Sequence, residues 1–265
     1  MKKLLAVIFV GIMLISGCGN SKVSKLDEIK KAGKIVMYTN AEFPPYEFVQ
    51  DDEIVGVDIE IGKAIAEKIG VELEIMNADF DGIVASIATG KGDVGISGIT
   101  INEERKGQVD FSVPYVDSVQ YVILPEDSEL KVVEDFAELA LGGQTGTTGS
   151  MLIEDEIADG VLAGTKAEFK SYKSAPTAMQ DLITGRIAGV VIDELVAISI
   201  ADANEGYKAI PLIYKSGSPV TEQFGVAIKK ENEDLLKIID EAISSMLSDG
   251  SVEKYLDEYS AIAQE

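Results

Sequence analysis

Short β-branched runs alternate with amphipathic helical patterns along the chain, and this alternation is the feature that most constrains the fold. Apolar runs at 34–38, 71–76 and 94–97 predict strands, and the spacing of apolar residues at 57–69 and 80–89 predicts the helices between them. Strands separated by helices of this length are typical of parallel βαβ units. The sequence therefore predicts an α/β fold.

The same order of elements returns in the second half of the chain. A helix is predicted at 178–184, Gly185-Arg186 corresponds to Gly90-Lys91 of the first half, and a buried strand follows at 190–192. A chain of 265 residues is long enough for two domains of ordinary size. We expect two lobes, each a mixed sheet flanked by helices, joined by a two-strand hinge. The predicted boundaries are 33–117 and 224–265 for lobe 1, and 118–223 for the hinge and lobe 2.

Composition excludes several classes of function. Asp and Glu number 46 against 23 Lys and Arg, which gives a formal net charge of -23. Such an acidic surface repels phosphate backbones, so we expect no nucleic acid partner. The chain has no His and one Cys, which removes His-based catalytic triads, imidazole zinc sites and an internal disulfide. We expect no metal, no cofactor and no enzymatic activity.

The amino terminus has the pattern of an export signal. Lys2 and Lys3 precede an apolar run at 4–15, which is too short to cross a bilayer as a helix. The following residues, ISGC, resemble the bacterial lipobox, in which the thiol of the Cys receives a diacylglycerol. We therefore predict a signal peptide over 1–17, lipidation at Cys18, and a lipidated tether over 18–32. The alternative is a chance small residue beside an ordinary secretory cleavage site.

Polar residues follow the buried strands of both halves. Open parallel sheets bind ligands beyond the carboxyl ends of their strands, which here are Ser97-Gly98 and Asp193. Shortly after the first of these come the Thr100 hydroxyl and the Arg105 guanidinium, a planar fork that suits a carboxylate. The alternatives are a surface Arg105 paired with a neighbouring glutamate, and an Asp193 that caps the next helix.

A Gly-rich segment and two aromatic residues complete the candidate site. Residues 142–150, GGQTGTTGS, precede a predicted helix and could hold an anion with backbone N–H groups, or could serve only as a helix cap. The segment lacks the spacing of a phosphate loop. Phe43 and Phe80 could cover the apolar stem of a ligand, or could be ordinary core residues.

Five motifs together carry a resemblance to a known family. They are residues 40–48 (NAEFPPYEF), 56–60 (GVDIE), 97–105 with the DFS at 110–112, 146–149 (GTTG) and 192–194 (IDE). With them, residues 33–260 resemble the extracellular solute-binding proteins of polar amino acid ABC transporters, of the glutamine, histidine and lysine/arginine/ornithine type. The resemblance implies a type II periplasmic-binding-protein-like fold.

The resemblance also implies roles for individual residues. Arg105 would bind the α-carboxylate of an amino acid, assisted by Thr100 and by the amide of Thr148 from the opposite lobe. Asp193 would pair with the α-ammonium, helped by the Gly98 carbonyl. The full set of predicted ligand-binding residues is Asn40, Phe43, Phe80, Ser97, Gly98, Thr100, Arg105, Gln144, Thr147, Thr148 and Asp193.

Departures from the family pattern bear on the ligand. Binders of basic amino acids commonly place an Asp where this chain has Asn40, and Gln144 is also neutral. Glu42 could still receive a positive side chain if it faced inward. The sequence therefore favours a neutral polar ligand such as glutamine, with arginine or lysine next.

The predicted protein is a monomer, anchored to the outer face of the cell membrane through Cys18, that delivers its ligand to a membrane permease. Two other classes of function are alternatives. One is an enzyme of the same fold, such as a cyclohexadienyl dehydratase, which would need a proton-transfer group in the cleft. The other is the ligand-sensing module of a receptor.

Overall fold

The computed structural model describes residues 24–264, so the predicted signal peptide, Cys18 and the start of the predicted tether lie outside the described residues. The described part consists of two lobes, each built on a mixed sheet. The strands are β1 Lys34–Thr39, β2 Glu42–Phe43, β3 Glu47–Gln50, β4 Glu53–Val55, β5 Glu72–Asn77, β6 Val94–Gly95, β7 Val109–Phe111, β8 Val116–Pro125, β9 Ala140–Gln144, β10 Glu168–Tyr172, β11 Gly189–Asp193, β12 Tyr207–Pro211, β13 Thr221–Phe224 and β14 Ala227–Lys229. The α-helices are α1 Lys25–Ala32, α2 Val57–Ile69, α3 Ile83–Ala88, α4 Glu103–Gln108, α5 Thr148–Ala158, α6 Ala175–Ile183, α7 Glu194–Asp202, α8 Glu233–Ser248 and α9 Ser251–Ile262.

The sheet of lobe 1 has the strand order β5-β1-β6-β14-β7. β1 pairs in parallel with β5 and β6, whereas β14 runs antiparallel to β6 and β7. Alternate residues of β1 are buried, and α2 covers the sheet with an apolar face that includes Ile59, Ile61 and Ile65. Gly70 ends α2 in the left-handed conformation, which glycine adopts without steric cost.

The sheet of lobe 2 has the order β10-β9-β11-β8-β12, in which β9, β10 and β11 are parallel and β8 is antiparallel to β11 and β12. All five residues of β11 are buried, as expected for a central strand covered on both faces. The carboxyl ends of β1 and β6 in one lobe and of β9 and β11 in the other therefore carry the polar residues that the sequence analysis selected. The predicted two-lobed type II fold is confirmed.

Two antiparallel strands connect the lobes. β8 pairs with β13 over its first four residues and with β11 and β12 over the rest, so a single strand runs from one lobe into the other. β13 makes the return crossing and is followed by β14 in the sheet of lobe 1. The strands of the lobe 1 sheet lie within 33–117 and 224–265, and those of the lobe 2 sheet, with β13 paired to β8, lie within 118–223 except for the first two residues of β8 and the last residue of β13.

Several predicted elements differ from the structure. The tether predicted over 18–32 is wrong for 25–32, because these residues form α1, which Ser24 caps and which buries Ile29. The helix predicted at 80–89 is a 3₁₀ turn at Phe80–Gly82 followed by α3. The small sheet β2-β3-β4 was not predicted. In the described part of the chain, no helix is long and apolar enough to span a bilayer.

Candidate ligand-binding cleft

The polar residues at the strand ends of the two lobes meet across a cleft. Asn40 follows β1, Gln144 ends β9, and both are buried. The Gln144 Nε2 donates to the Asn40 Oδ1 at 2.9 Å, and the Asn40 Nδ2 donates to the Ala78 carbonyl at 2.9 Å. One hydrogen bond thus joins the lobes at the place where the sequence analysis expected the side chain of a ligand.

Arg105 brings a buried positive charge to this cleft from lobe 1. It lies in the first turn of α4, whose start Asn102 caps, and only 4% of Arg105 is exposed. Its Nη1 donates to the Thr100 carbonyl at 2.8 Å, its Nη2 donates to the Gly146 carbonyl of lobe 2 at 2.9 Å, and its guanidinium carbon lies 5.5 Å from the centre of the Phe80 ring. A guanidinium has five N–H groups, so donors remain for a carboxylate.

Burial lowers the pKa of Arg105, whereas the negative charges of Glu222 and Asp193 act in the opposite direction. A guanidinium stays protonated in proteins. Arg105 is therefore a cation held in a site with little water, where pairing with an anion is strong. The alternative of an exposed Arg105 paired with a neighbouring glutamate does not occur in the structure.

Asp193 brings a buried carboxyl from lobe 2. It is the last residue of β11 and precedes α7, yet its side chain makes no capping hydrogen bond to that helix. The Ser118 hydroxyl donates to the Asp193 Oδ1 at 3.3 Å. Burial raises the pKa of Asp193 well above its usual range, and the nearby Glu222 carboxyl raises it further. A cation placed beside Asp193 would counter both effects.

The Gly-rich segment gives a helix start that faces lobe 1. The Thr147 hydroxyl accepts from the Ser150 N–H at 3.3 Å and donates to the Gln144 carbonyl at 2.8 Å, so it holds the start of α5 rather than facing the cleft. Thr148 is the first residue of α5, where backbone N–H groups have no partner within the helix. Its hydroxyl oxygen lies 3.2 Å from that of Thr100 on the opposite lobe.

Ser97 and Gly98 are held from behind by two buried carboxyl groups. The Ser97 hydroxyl donates to the Glu47 Oε1 at 2.6 Å and accepts from the Asn40 N–H at 3.1 Å. The Asp58 Oδ2 accepts from the Gly98 N–H at 2.7 Å and from the Tyr115 hydroxyl at 2.9 Å. The Ser97 side chain is thus used to join the ends of β1 and β6.

The two carboxyl groups behind the strand ends also contact each other. Burial raises the pKa of Glu47 well above its usual range, and the negative charge of Asp58 raises it further; burial also raises the pKa of Asp58 to about 6. Two carboxyl groups in direct contact cannot both be ionised without a large cost. A proton on Glu47 can be donated to Asp58, which leaves Asp58 as the acceptor of three donors.

The predicted aromatic residues and Glu42 lie in different surroundings. Phe43 is buried and stacks on Tyr46 with ring centres 5.7 Å apart. It also packs against Gly98, where φ is +50° and an added Cβ would lie 2.6 Å from the Phe43 ring. Phe80 is half-buried beside Arg105, whereas Glu42 is exposed on β2.

Three residues that border Asp193 and Arg105 were not predicted from the sequence. They are Ser118 and Gln120 on β8 and Glu222 on β13. The Glu222 Oε2 accepts from the Gln120 Nε2 at 3.1 Å, from the Thr148 hydroxyl at 2.8 Å and from the Thr100 hydroxyl at 2.9 Å. Ser118 and Gln120 alternate with exposed or half-buried neighbours along β8, so two polar residues on a buried strand face were the available signal.

These features define a class of protein. Two lobes joined by two strands enclose a cleft with a buried guanidinium from one lobe and a buried carboxyl from the other, an arrangement that suits a small ligand with opposite charges at its ends. Among residues 24–264, no group of three or more His, Cys, Asp or Glu side chains could hold a metal ion. The fold and the cleft are those of a two-lobed solute-binding protein.

Comparison with known proteins agrees with this class. Residues 35–261 match the family of bacterial extracellular solute-binding proteins, family 3, and the chain belongs to this family. It is 30% identical over 232 residues to the L-cystine-binding protein TcyJ of Escherichia coli, covering 86% of this chain and 83% of TcyJ. The predicted resemblance is thereby confirmed. Membership implies a location outside the cytoplasm and an amino acid substrate-binding role with an ABC transporter.

Two solved structures are also similar. The amino acid ABC transporter substrate-binding protein AbpA of Streptococcus pneumoniae, bound to L-arginine, is 29% identical with a TM-score of 0.82, covering 90% of this chain and 99% of that one. An ancestral amino acid-binding protein described as a precursor of cyclohexadienyl dehydratase is 29% identical with a TM-score of 0.78, covering 89% of this chain and 99% of that one. The relatives are mostly binding proteins rather than enzymes.

Proposed function

We propose that this protein captures a free polar L-amino acid between its lobes and delivers it to the membrane permease of an ABC importer. The observation that carries the proposal is the placement of Arg105 and Asp193. Each is buried, each belongs to a different lobe, and neither forms a salt bridge within 4 Å with an oppositely charged side chain in the described part of the chain. Buried charges that lack such a partner are costly unless a ligand supplies one.

An amino acid would supply both missing partners. Its α-carboxylate would accept from the remaining guanidinium N–H groups of Arg105 and from the backbone N–H groups of Thr100 and of Thr148, the latter at the positive end of α5. Its α-ammonium would donate to Asp193 and to the Gly98 carbonyl. Because Arg105 and Asp193 come from different lobes, the closed arrangement binds the ligand most tightly, and the ligand in turn favours closure.

The ligand side chain would lie near Asn40 and Gln144. Both polar groups of Asn40 are already hydrogen-bonded, which fixes the amide of Gln144 with its nitrogen toward Asn40. The Gln144 Oε1 is then a buried acceptor without a partner. A side chain that donates N–H groups would satisfy it. We therefore propose glutamine as the first candidate, with arginine or lysine next.

A thermal-shift screen tests the ligand class directly. The mature chain is heated with each of the twenty amino acids and with ornithine, citrulline and cystine, and hits are measured by calorimetry. A ligand present at 100 times its Kd stabilises the folded state by about 2.7 kcal/mol, which raises Tm by a few degrees. We expect glutamine to give a clear shift, while a complete absence of shifts would contradict an amino acid ligand.

One relative is the precursor of a dehydratase, so an enzymatic alternative has a specific test. Prephenate and arogenate are incubated with the protein and product is followed by absorbance. We expect no product, because Arg105 and Asp193 are both used to hold the charged ends of the ligand. Turnover above the background rate would favour the enzyme.

We also propose that the protein is a monomer anchored through Cys18 to the outer face of the cell membrane. The support is the pattern of residues 1–18, in which an apolar run is followed by a lipobox-like sequence that ends at Cys18. The diacylglycerol that such a Cys receives has two acyl chains, which hold a protein at a membrane far more firmly than one. A Cys18→Ala chain should be secreted into the medium rather than pelleted with membranes. Retention of that variant in the membrane fraction would count against lipidation.

A further inference from the structure

Glu222 occupies a position at which three parts of the protein meet. It lies on β13, the strand that returns from lobe 2 to lobe 1, and its side chain is on the same face of that strand as the fully buried Phe224. One of its oxygens, Oε2, accepts hydrogen bonds from Thr100 of lobe 1, from Thr148 of lobe 2 and from Gln120 of β8. The two hydroxyl groups reach this oxygen from opposite sides of the cleft.

A contact of this kind exists only when the lobes are together. Thr148 begins α5 at the far side of the cleft, whereas Glu222 is on a connecting strand whose partner residues 116–119 belong to the start of β8. Rotation of lobe 2 away from lobe 1 would carry the Thr148 hydroxyl away from Thr100. It would also break the bond from Arg105 to the Gly146 carbonyl.

We propose that Glu222 is a positioning residue that latches the two lobes in the closed arrangement, by holding the hydroxyl groups of Thr100 and Thr148 on one carboxylate oxygen. This proposal does not depend on which ligand the cleft takes. The latch orders the two hydroxyl groups beside Arg105 before a ligand arrives. The apparent affinity for any ligand of the closed state rises with the fraction of molecules already closed.

The chemistry of the side chain suits this role. A carboxylate only accepts hydrogen bonds, so Glu222 can take three donors without leaving an N–H group unpaired. Hydrogen bonds to a charged acceptor are about twice as strong as neutral ones. The positive charge of Arg105 lies close enough to interact with Glu222, which offsets part of the cost of placing a second carboxyl beside Asp193.

The distance between spin labels on the two lobes tests the latch without any amino acid present. Labels are attached to cysteines that replace the exposed Glu72 and Glu168, in a mature chain that also carries Cys18→Ser. These positions begin β5 and β10, the sheet edges farthest from the connecting strands, so closure moves them most. Pulsed electron paramagnetic resonance then gives the populations of closed and open molecules.

We expect Glu222→Ala to lower the ratio of closed to open molecules about tenfold or more, as the loss of hydrogen bonds to a charged group implies. Glu222→Gln keeps an acceptor oxygen and should give a smaller shift. Thr148→Val replaces the hydroxyl with a methyl group, and as a single variant it should lower the ratio of closed to open molecules. Added to Glu222→Ala it should have little further effect, because the carboxylate that accepts from the Thr148 hydroxyl is already absent.

Lys173→Ala is the matched control. It removes the ion pair between Lys173 and Asp79, which also crosses the cleft at 3.5 Å but has side chains that are 84% and 70% exposed. Such a pair contributes little, so the distances should not change. Unchanged distances in both Glu222→Ala and Thr148→Val would overturn the latch, as would an equal shift in Lys173→Ala. A positive result would stand even if the amino acid screen failed.

Discussion

Two pairs of neighbouring carboxyl groups in the described part of the chain differ in what surrounds them; Glu222 is half-buried and the other three groups are buried. Glu47 and Asp58, inside lobe 1, receive all their hydrogen bonds from the protein itself, through Ser97, Gly98 and Tyr115. The second pair, Asp193 and Glu222, lies between the lobes within range of the Arg105 charge and faces the cleft.

We infer that the pair Glu47 and Asp58 has a structural role, whereas the pair Asp193 and Glu222 has a role in binding. The pair in lobe 1 joins the ends of β1 and β6 and the start of β8, so it fixes the backbone from which the cleft is built. The pair between the lobes keeps acceptor capacity for a cation from outside. If this distinction is right, removing an acid from the first pair should mainly reduce stability, and removing an acid from the second should mainly reduce binding.

The largest expected effect is on binding. Arg105→Ala and Asp193→Ala should each weaken amino acid affinity by at least about 100-fold, because each leaves an opposite charge of the ligand unpaired in a buried site. Calorimetry with the best ligand of the screen measures this on variants whose circular dichroism is unchanged.

The chain provides a matched control for the arginine. Arg186 is 65% exposed and pairs with Asp181 at the surface of lobe 2. Arg186→Ala should therefore leave the affinity within about twofold of the unchanged protein. Near-normal affinity in Arg105→Ala or Asp193→Ala would contradict the assignment of the cleft.

The next effect concerns stability. Asp58→Ala should reduce the free energy of unfolding by about 3 kcal/mol, because the Gly98 N–H and the Tyr115 hydroxyl lose their acceptor in a fully buried place. Asp193→Ala should change it by less than about 1 kcal/mol, because the hydrogen bond lost there, from the Ser118 hydroxyl, is long at 3.3 Å. Urea denaturation measures both.

The exposed Asp117 gives the baseline for these measurements. Its side chain accepts from Gln223 at the surface, so Asp117→Ala should change the free energy of unfolding by no more than about 0.5 kcal/mol. Equal losses of stability in Asp58→Ala and Asp193→Ala would remove the distinction between the two pairs.

The third effect, no larger than the second, concerns the pH dependence of stability. The pKa of Asp58 is raised from 3.8 to about 6 in the folded protein, so between these values the folded state holds a proton that the unfolded state has lost. The free energy of unfolding therefore falls as pH rises through this range, and the Asp58 contribution is constant above it. Glu47, whose pKa is also raised, extends the fall to higher pH.

Asp58→Asn tests this linkage. The amide keeps an acceptor for Gly98 and Tyr115 and a donor for Glu47, but it does not titrate. The fall in unfolding free energy between pH 4 and pH 7 should then be smaller than in the unchanged protein, by up to about 3 kcal/mol. Parallel curves for the two proteins would contradict a shared proton in lobe 1.

The repeated elements of the fold were predictable because burial imposes a period on the sequence. The helix predicted at 57–69 coincides with α2, and the strand predicted at 190–192 is the centre of β11. The strand ends identified Ser97, Gly98 and Asp193, since the carboxyl ends of parallel strands point to one edge of a sheet, whereas Asn40 and Gln144 were predicted from the family resemblance. These predictions rest on which residues face inward, and the hydrophobic pattern carries that information.

The hydrophobic pattern of the sequence could not show which acidic residues the fold buries. No feature of the sequence indicated burial of Glu47 or Asp58, because an isolated carboxyl costs free energy inside a protein and only the partners that the fold provides remove this cost. Glu222 follows a polar stretch, 214–221, and its role depends on contacts with residues about 75 and 120 positions earlier. Such contacts exist only in three dimensions.

The strand β8 both connects the lobes and lines the cleft, since Ser118 contacts Asp193 and Gln120 contacts Glu222. A substitution at Ser118 or Gln120 that adapts the cleft to a different ligand therefore also alters the strand that connects the lobes. At these two positions, a substitution that changes ligand selectivity should also change how easily the lobes open. A change in the ligand that the protein binds would therefore be accompanied by a change in the rate of ligand release.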